Sequence, residues 1–192
     1  GRDRRQRQMC IRDSHIAVCL CARVDPTKDH VNFIAASKIA AEKNPNLIFI
    51  LVGLGTSDLM NDIKALGLED RYRVLGLRHD MEKLWPAMDI SVLCSAFGEG
   101  FPNVIGEAMA YALPCITTDV GDAAEILSDC GITVPIRDSV ALAEAMIRMA
   151  ANPPEELNRI GDAARQRLRE QYSLDSTLMA YREVYAGVGL PR

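Results

Sequence analysis

From Ser14 onward the chain alternates short runs of apolar, β-branched residues with longer stretches in which apolar positions recur at helical spacing, the pattern of successive βαβ units. The runs at 16–22, 47–52, 72–75, 90–94, 114–117 and 132–134 read as strands. Helices are predicted near 30–42, 57–66, 80–87, 103–112 and 122–127, and three more, near 138–151, 154–171 and 174–186, close the chain. Asn152, Pro153 and Pro154 part the first two of these closing helices, since proline has no amide hydrogen for a helix ladder. Residues 47–52, LIFILV, are apolar without interruption, as a strand covered on both faces of a parallel sheet must be. The predicted fold class is α/β: a doubly wound, Rossmann-like parallel sheet of about six strands with C-terminal helices. In the common strand order 3-2-1-4-5-6, winding reverses between the first and fourth strands, and ligands sit at the carboxyl ends of the strands there. The loops at 23–28 and 95–103 therefore carry the search for chemistry.

With 192 residues, 48% hydrophobic and 25% charged, the chain is an ordinary globular domain able to bury its own core, and disorder is excluded. Its longest strongly apolar run, 47–54, is too short to span a bilayer. Residues 1–14 hold five Arg against two Asp and look unlike the remainder. They are expected to be non-native or disordered, with one Rossmann-like domain over 15–192. That remainder has 17 basic and 24 acidic residues, a balance that argues against a nucleic-acid partner while allowing a local basic spot. Cys10, Cys19, Cys21, Cys94, Cys115 and Cys130 sit mostly in apolar runs and read as small buried hydrophobes in a reducing, cytoplasmic setting. Cys19 and Cys21 are expected on opposite faces of the first strand. No second Cys/His pair accompanies them, and His15, His30 and His79 lie on three separate segments, so no metal site is predicted.

The first loop places Arg23 and Lys28 around Pro26. An Arg fork and a Lys point charge suit a diphosphate without a metal, the plain alternative being two solvated charges with Asp29 opening the next helix. In the second loop, Gly98 and Gly100 allow close backbone approach, and Pro102 suits the first turn of the helix that follows. The open amides there make an anion site for a phosphate or a sugar hydroxyl. Glu99 is read against an exposed loop carboxylate as its plain alternative. Glu107 follows among small, apolar neighbours, so it stands either at the polar edge of its helix or bonded to a ligand.

Residues 95–127, in which EGFPNVIGEAMA spaces Glu99 and Glu107 as E-x7-E before LPCITTDVGDAAEI, resemble the C-terminal, donor-binding half of a family 4 glycosyltransferase of the GT-B fold. RVDPTKDH, ILVGLG, VLGLRHDMEKLWPAMDISVLCS and the closing helices extend the resemblance over nearly all of 16–186. It implies that Arg23 and Lys28 hold the pyrophosphate of a nucleotide-sugar donor, UDP- or GDP-linked, and that Glu107 accepts hydrogen bonds from the ribose. By the same resemblance Glu99, with the backbone of Gly100, Phe101, Pro102 and Asn103, holds the sugar hydroxyls. Val104 joins this substrate-binding set, Leu77 and Arg78 meet the base, and Glu99, Arg23 and Lys28 are the residues assigned to catalysis. The sequence departs from the family at Tyr111-Ala112, where a Cys-Gly pair is usual, and at Asp122, where a second Gly is frequent. Both departures are expected to affect packing alone. The family's acceptor-binding N-terminal domain is expected to be absent from this chain.

The implied reaction is a retaining hexosyl transfer from the donor to a hydroxyl acceptor, with no metal and no other cofactor, in polysaccharide or glycolipid biosynthesis. No D-x-D motif is present. The departing phosphate would take the acceptor's proton on the same face of the sugar. Peripheral attachment of the parent protein to the cytoplasmic face of a membrane is left open. A glycosidase could pair Glu99 with Glu107, but it would not need a phosphate-suited turn and a basic loop. A dehydrogenase is disfavoured because Gly53 and Gly55 lack the third glycine of G-x-G-x-x-G and read as a tight strand-to-helix turn. The alternative kept is a non-catalytic nucleotide-binding module, or a fragment inactive on its own. Trp85 reads as core, and Arg159, Arg165, Arg167 and Arg169 read as a solvated face alternating with acidic residues. The last helix is expected to leave Tyr181 and Tyr185 partly exposed.

Overall fold

The computed structural model describes residues 14–187, so the segment expected to be non-native or disordered lies outside it, save Ser14. Strands β1 (Ile16–Cys21), β2 (Leu47–Val52), β3 (Tyr72–Val74), β4 (Ile90–Leu93), β5 (Cys115–Thr118) and β6 (Gly131–Val134) form one sheet in the order β3-β2-β1-β4-β5-β6. Every pairing is parallel, with Val18 level with Phe49 on one side and Ile90 on the other. The described helices are α1 (His30–Lys43), α2 (Met60–Ala65), α3 (Met81–Leu84), α4 (Asn103–Ala110), α5 (Ala123–Leu127), α6 (Ser139–Ala150), α7 (Pro154–Gln171) and α8 (Leu174–Gly187). None is long and apolar enough to cross a membrane.

Side chains alternate across the sheet, and each face has its own core. Val18, Leu20, Phe49, Leu51 and Val92 pack against Phe33 of α1, Ile63 of α2 and Met146 of α6. Ala17, Cys19, Ile48, Ile50 and Cys115 pack against Trp85, Met109 of α4, Ile126 of α5 and Ala164 of α7. Full burial of one large apolar side chain is worth about 2 kcal/mol, against about 1 kcal/mol for a helix cap, so the two cores and not the caps hold the sheet. The same alternation corrects one expectation. Residues i and i+2 of a strand share a face, so Cys19 and Cys21 lie together in the second cluster. Contact with the Cys19 thiol and burial push the Cys21 thiol well above its ordinary pKa.

Local chemistry sets the ends of the elements. The Asp29 carboxylate accepts from the Asn32 amide at 3.3 Å and Asp138 from Ala141 at 2.9 Å, capping α1 and α6. Pro154 occupies the first turn of α7, where its missing donor costs nothing. The helix expected at 80–87 is interrupted: α3 ends at Leu84 and gives way to a 3-10 turn, Trp85–Ala87, around Pro86. The one expected at 57–66 divides likewise into a 3-10 turn, Thr56–Leu59, and α2. Trp85 is buried, as predicted. Helix α8 has no buried residue, and the stacked rings of Tyr181 and Tyr185 are exposed.

Helix α4 stops at Ala110, and two residues later Ala112 has φ 56°, in the left-handed region. The departure at Tyr111-Ala112 therefore carries backbone strain in addition to packing, because a β-carbon is disfavoured there and a glycine is not. Ala112→Gly is expected to stabilise the domain by up to about 1 kcal/mol, read as a higher urea midpoint; an unchanged or lower midpoint would show that the turn is not strained.

Candidate functional site

The reversal of winding between β1 and β4 leaves a crevice at their carboxyl ends, and the loops that follow these strands meet across it. Pro26 and the Asp25 carboxylate, which accepts from the Thr27 amide at 2.9 Å, set a 3-10 turn, Pro26–Lys28. The Thr27 carbonyl accepts from the Ala96 amide at 2.8 Å, joining the two loops by their backbones. The Cys94 thiol donates to the Lys28 carbonyl at 3.2 Å, so Lys28 projects from a fixed base.

The Lys28 ammonium forms an ion pair with the Glu99 carboxylate. Glu99 is not the exposed loop carboxylate of the plain alternative, for its side chain is only 8% exposed. Ser95 Oγ donates to the same Glu99 oxygen at 2.5 Å, and Thr118 Oγ1 donates to the Ser95 carbonyl at 2.7 Å. Gly121, with φ 52°, passes so close that a β-carbon on it would lie 2.2 Å from the Glu99 carbonyl oxygen. Ser95, Thr118 and Gly121 were not singled out from the sequence. An apolar strand followed by a hydroxyl residue is a common pattern, and the Ser95 to Thr118 contact joins strands that are distant along the chain.

At the carboxyl ends of the strands opens a cavity of about 380 Å³, within the size range of small-molecule sites, lined among others by Arg23, Leu77, Arg78, Val104 and Glu107; Lys28, Glu99 and residues 100–103 do not line it. Five of the predicted residues are thus gathered on one concavity, from three segments of chain. Gly53, with φ 144°, lets the end of β2 close upon β1, since a β-carbon there would lie 2.0 Å from the Ala22 carbonyl oxygen. Arg23 is largely exposed and lies 3.6 Å from Asp25, a loose contact from which it can turn toward a ligand. The Arg78 guanidinium is committed: its Nε and Nη2 each donate to Asp80 at 2.8 Å. That pairing holds the Asp80 carboxyl below its usual range. Glu107 faces the Cys21 thiol inside the cavity and adds to the upward push on it. Gly100, Phe101 and Pro102 form the turn before α4, and Asn103 is its first residue; of the first-turn amides, that of Ile105 already donates to the Pro102 carbonyl at 3.0 Å, leaving those of Asn103 and Val104 without an acceptor in the helix. Among the described residues, no group of three His, Cys, Asp or Glu side chains is placed to hold a metal ion.

The family model for "Glycosyl transferases group 1" matches residues 15–152. The chain belongs to the group 1 glycosyltransferases. Among curated members, N-acetyl-alpha-D-glucosaminyl L-malate synthase of Bacillus anthracis is 31% identical over 157 residues, covering 80% of this chain and 40% of that protein. The Escherichia coli UDP-Gal:alpha-D-GlcNAc-diphosphoundecaprenol alpha-1,3-galactosyltransferase is 26% identical over 192 residues, covering 95% and 48%. This group 1 chain therefore spans about half the length, or less, of these relatives. Of solved structures, Anabaena Alr3699/HepE in complex with UDP superposes with a TM-score of 0.84 at 25% identity, over 97% of this chain and 52% of that one. In fold alone, the C-terminal domain of a group 1 family protein (LpcC) of Francisella tularensis matches at TM-score 0.77 and 22% identity, over 91% and 94%. The fold of this glycosyltransferase chain is thus that of a C-terminal domain in its own family.

Next to Lys28 and Asp29, His30 is 3% exposed, and neither ring nitrogen reaches a hydrogen-bond partner. Burial lowers its pKa, and the nearby Ala22 backbone and Asp29 carboxylate oppose that shift without cancelling it. The unfolded chain then takes up a proton that the fold refuses, so stability is lost as pH falls through about 6.5, the ordinary histidine value. The urea midpoint is expected to drop between about pH 7.5 and 5.5, and to drop less in His30→Gln; equal slopes would place the titration elsewhere.

Proposed function

We propose that this domain binds a nucleoside-diphosphate sugar and that, in the whole protein, it is the donor half of a retaining, metal-independent hexosyltransferase. The observation that carries the reading is the cavity lined by Arg23 and Glu107 at the end of the sheet where winding reverses and where the Lys28–Glu99 pair joins the loops after β1 and β4. A UDP-linked donor is favoured over a GDP-linked one, because a structural relative is solved with UDP and a curated relative bears UDP-Gal in its name.

As the sugar departs, negative charge grows on the diphosphate, and Arg23, Lys28 and the first-turn amides of α4 stabilise it more than they stabilise the bound donor. Lys28 and the amides supply positive charge from fixed positions and Arg23 turns in to add its own, so the reading needs no metal. Glu107 takes the ribose hydroxyls. Glu99, locked between Lys28 and Ser95, orients the sugar so that the acceptor hydroxyl meets the anomeric carbon, and the departing phosphate oxygen takes the acceptor's proton on the same face. The acceptor is held by a further domain, as the family resemblance implies, so the domain alone binds donor without transferring sugar. The peripheral membrane attachment of the parent protein belongs to the same proposal.

Calorimetric titration with UDP, GDP and their sugar conjugates tests this. One nucleotide is expected to bind saturably, and Arg23→Ala and Glu107→Ala are each expected to weaken it by about tenfold or more, since each removes a charged hydrogen-bonding group. A folded domain that binds neither nucleotide at about 1 mM would overturn the assignment.

A further inference from the structure

The turn assigned to the donor sugar is enclosed by a ring of contacts, half of which come from the end of α7. On one side, Gly121 lies against the Glu99 carbonyl, and the Asp122 amide donates to the Gly100 carbonyl at 3.2 Å; these residues lead directly into α5. The far end of α5 is held by Arg167 of α7, whose Nη2 and Nε donate to the Glu125 and Ile126 carbonyls at 2.7 and 3.0 Å. Arg167 is therefore no part of a merely solvated face. Its guanidinium lies 6.0 Å from the ring centre of Tyr172, the residue that ends α7. Tyr172 in turn meets Phe101 edge-on, with centroids 5.4 Å apart and planes at 63°. Phe101 returns the ring to the turn.

Helix α7 also fixes α4 along its length. A β-carbon on Gly161 would lie 1.8 Å from the Ala112 carbonyl oxygen just past the end of α4, Leu168 lies against Gly106 midway, and Tyr172 reaches Phe101 just before its start. The two helices run antiparallel with their register pinned at both ends. Phe101 is 45% exposed, and its ring meets Tyr172 edge-on and lies next to Gly106.

We infer that Tyr172 is a positioning residue for the sugar-binding turn: through Phe101 it sets the backbone of residues 99–103, and so governs recognition of the sugar while leaving the nucleotide to the cavity. The inference rests on the proposed assignment of that turn to the donor sugar. The residue touches no substrate. It acts through Phe101, and its ring, not its hydroxyl, makes the contact.

The measurement is the ratio of affinities for UDP-glucose and UDP, or for GDP-mannose and GDP, whichever nucleotide binds, in the full chain and four variants. Tyr172→Leu is expected to weaken the sugar conjugate by about five- to tenfold with the free nucleotide unchanged, and Tyr172→Phe to restore the wild-type ratio. Phe101→Leu is expected to lower the ratio comparably, and the double variant Phe101→Leu/Tyr172→Leu no further than either single one, because the two rings act as a unit. Should Tyr172→Leu not fold, the ratio in Phe101→Leu against Tyr172→Phe decides alone. An unchanged ratio, an equal loss for nucleotide and conjugate, or additive losses in the double variant would overturn the inference. Wild-type protein that binds neither nucleotide would instead overturn the donor assignment and this inference with it.

Discussion

The ion pair between Lys28 and Glu99 ties together two loops that belong to opposite halves of the sheet. A carboxylate almost withdrawn from water is tolerable only with a cation and donors against it, and the attraction is stronger for the low local dielectric. Removing one partner from such a pair costs up to about 3–5 kcal/mol, less where one end is wet, as Lys28 is. Ser95 and Thr118 extend the hold across β4 and β5, and the backbone bond from Ala96 to Thr27 supports it from below. The crevice that the winding opens is thus braced before any ligand enters, which is the condition for charge stabilisation that needs no rearrangement.

Three glycines make that brace sterically feasible, each by admitting another strand of backbone where a side chain would stand. Gly53 lies against Ala22, Gly121 against Glu99 and Gly161 against Ala112. The first two close the ends of strands around the site, and the third sets α7 upon α4. Rigidity here comes from main chain packed on main chain, so the polar side chains of the site need not hold the loops in place by themselves.

The layers of the fold were open to reading in the sequence because burial on both faces of a parallel sheet leaves an unmistakable run such as 47–52, and because Pro86 and Asn152–Pro154 break helices for reasons that do not depend on context. The placement of the basic loop and the glycine turn was likewise legible, since Arg23, Lys28 and Glu99 fall in the loops that follow β1 and β4, where winding reverses. Contacts made across distant parts of the chain were not. Nothing local in Ser95 or Thr118 announces their bond, and Arg167, which has the spacing of a solvated helix face, instead caps α5. The expected divergence of Cys19 and Cys21 failed because a strand repeats every two residues, which brings such a pair together.

The two arginines at the cavity differ in freedom, and this gives the cavity a polarity. Arg23 is loosely held and can follow an anion, whereas the fork of Arg78 is already filled by Asp80, so that its stretch of wall beside Leu77 presents main chain and apolar surface in place of available charge. A molecule with a charged end and a flat, weakly polar end meets matching surfaces in one orientation and a mismatch in the other. The concavity therefore has a head and a tail, and a ligand of that kind can lie in it only one way round.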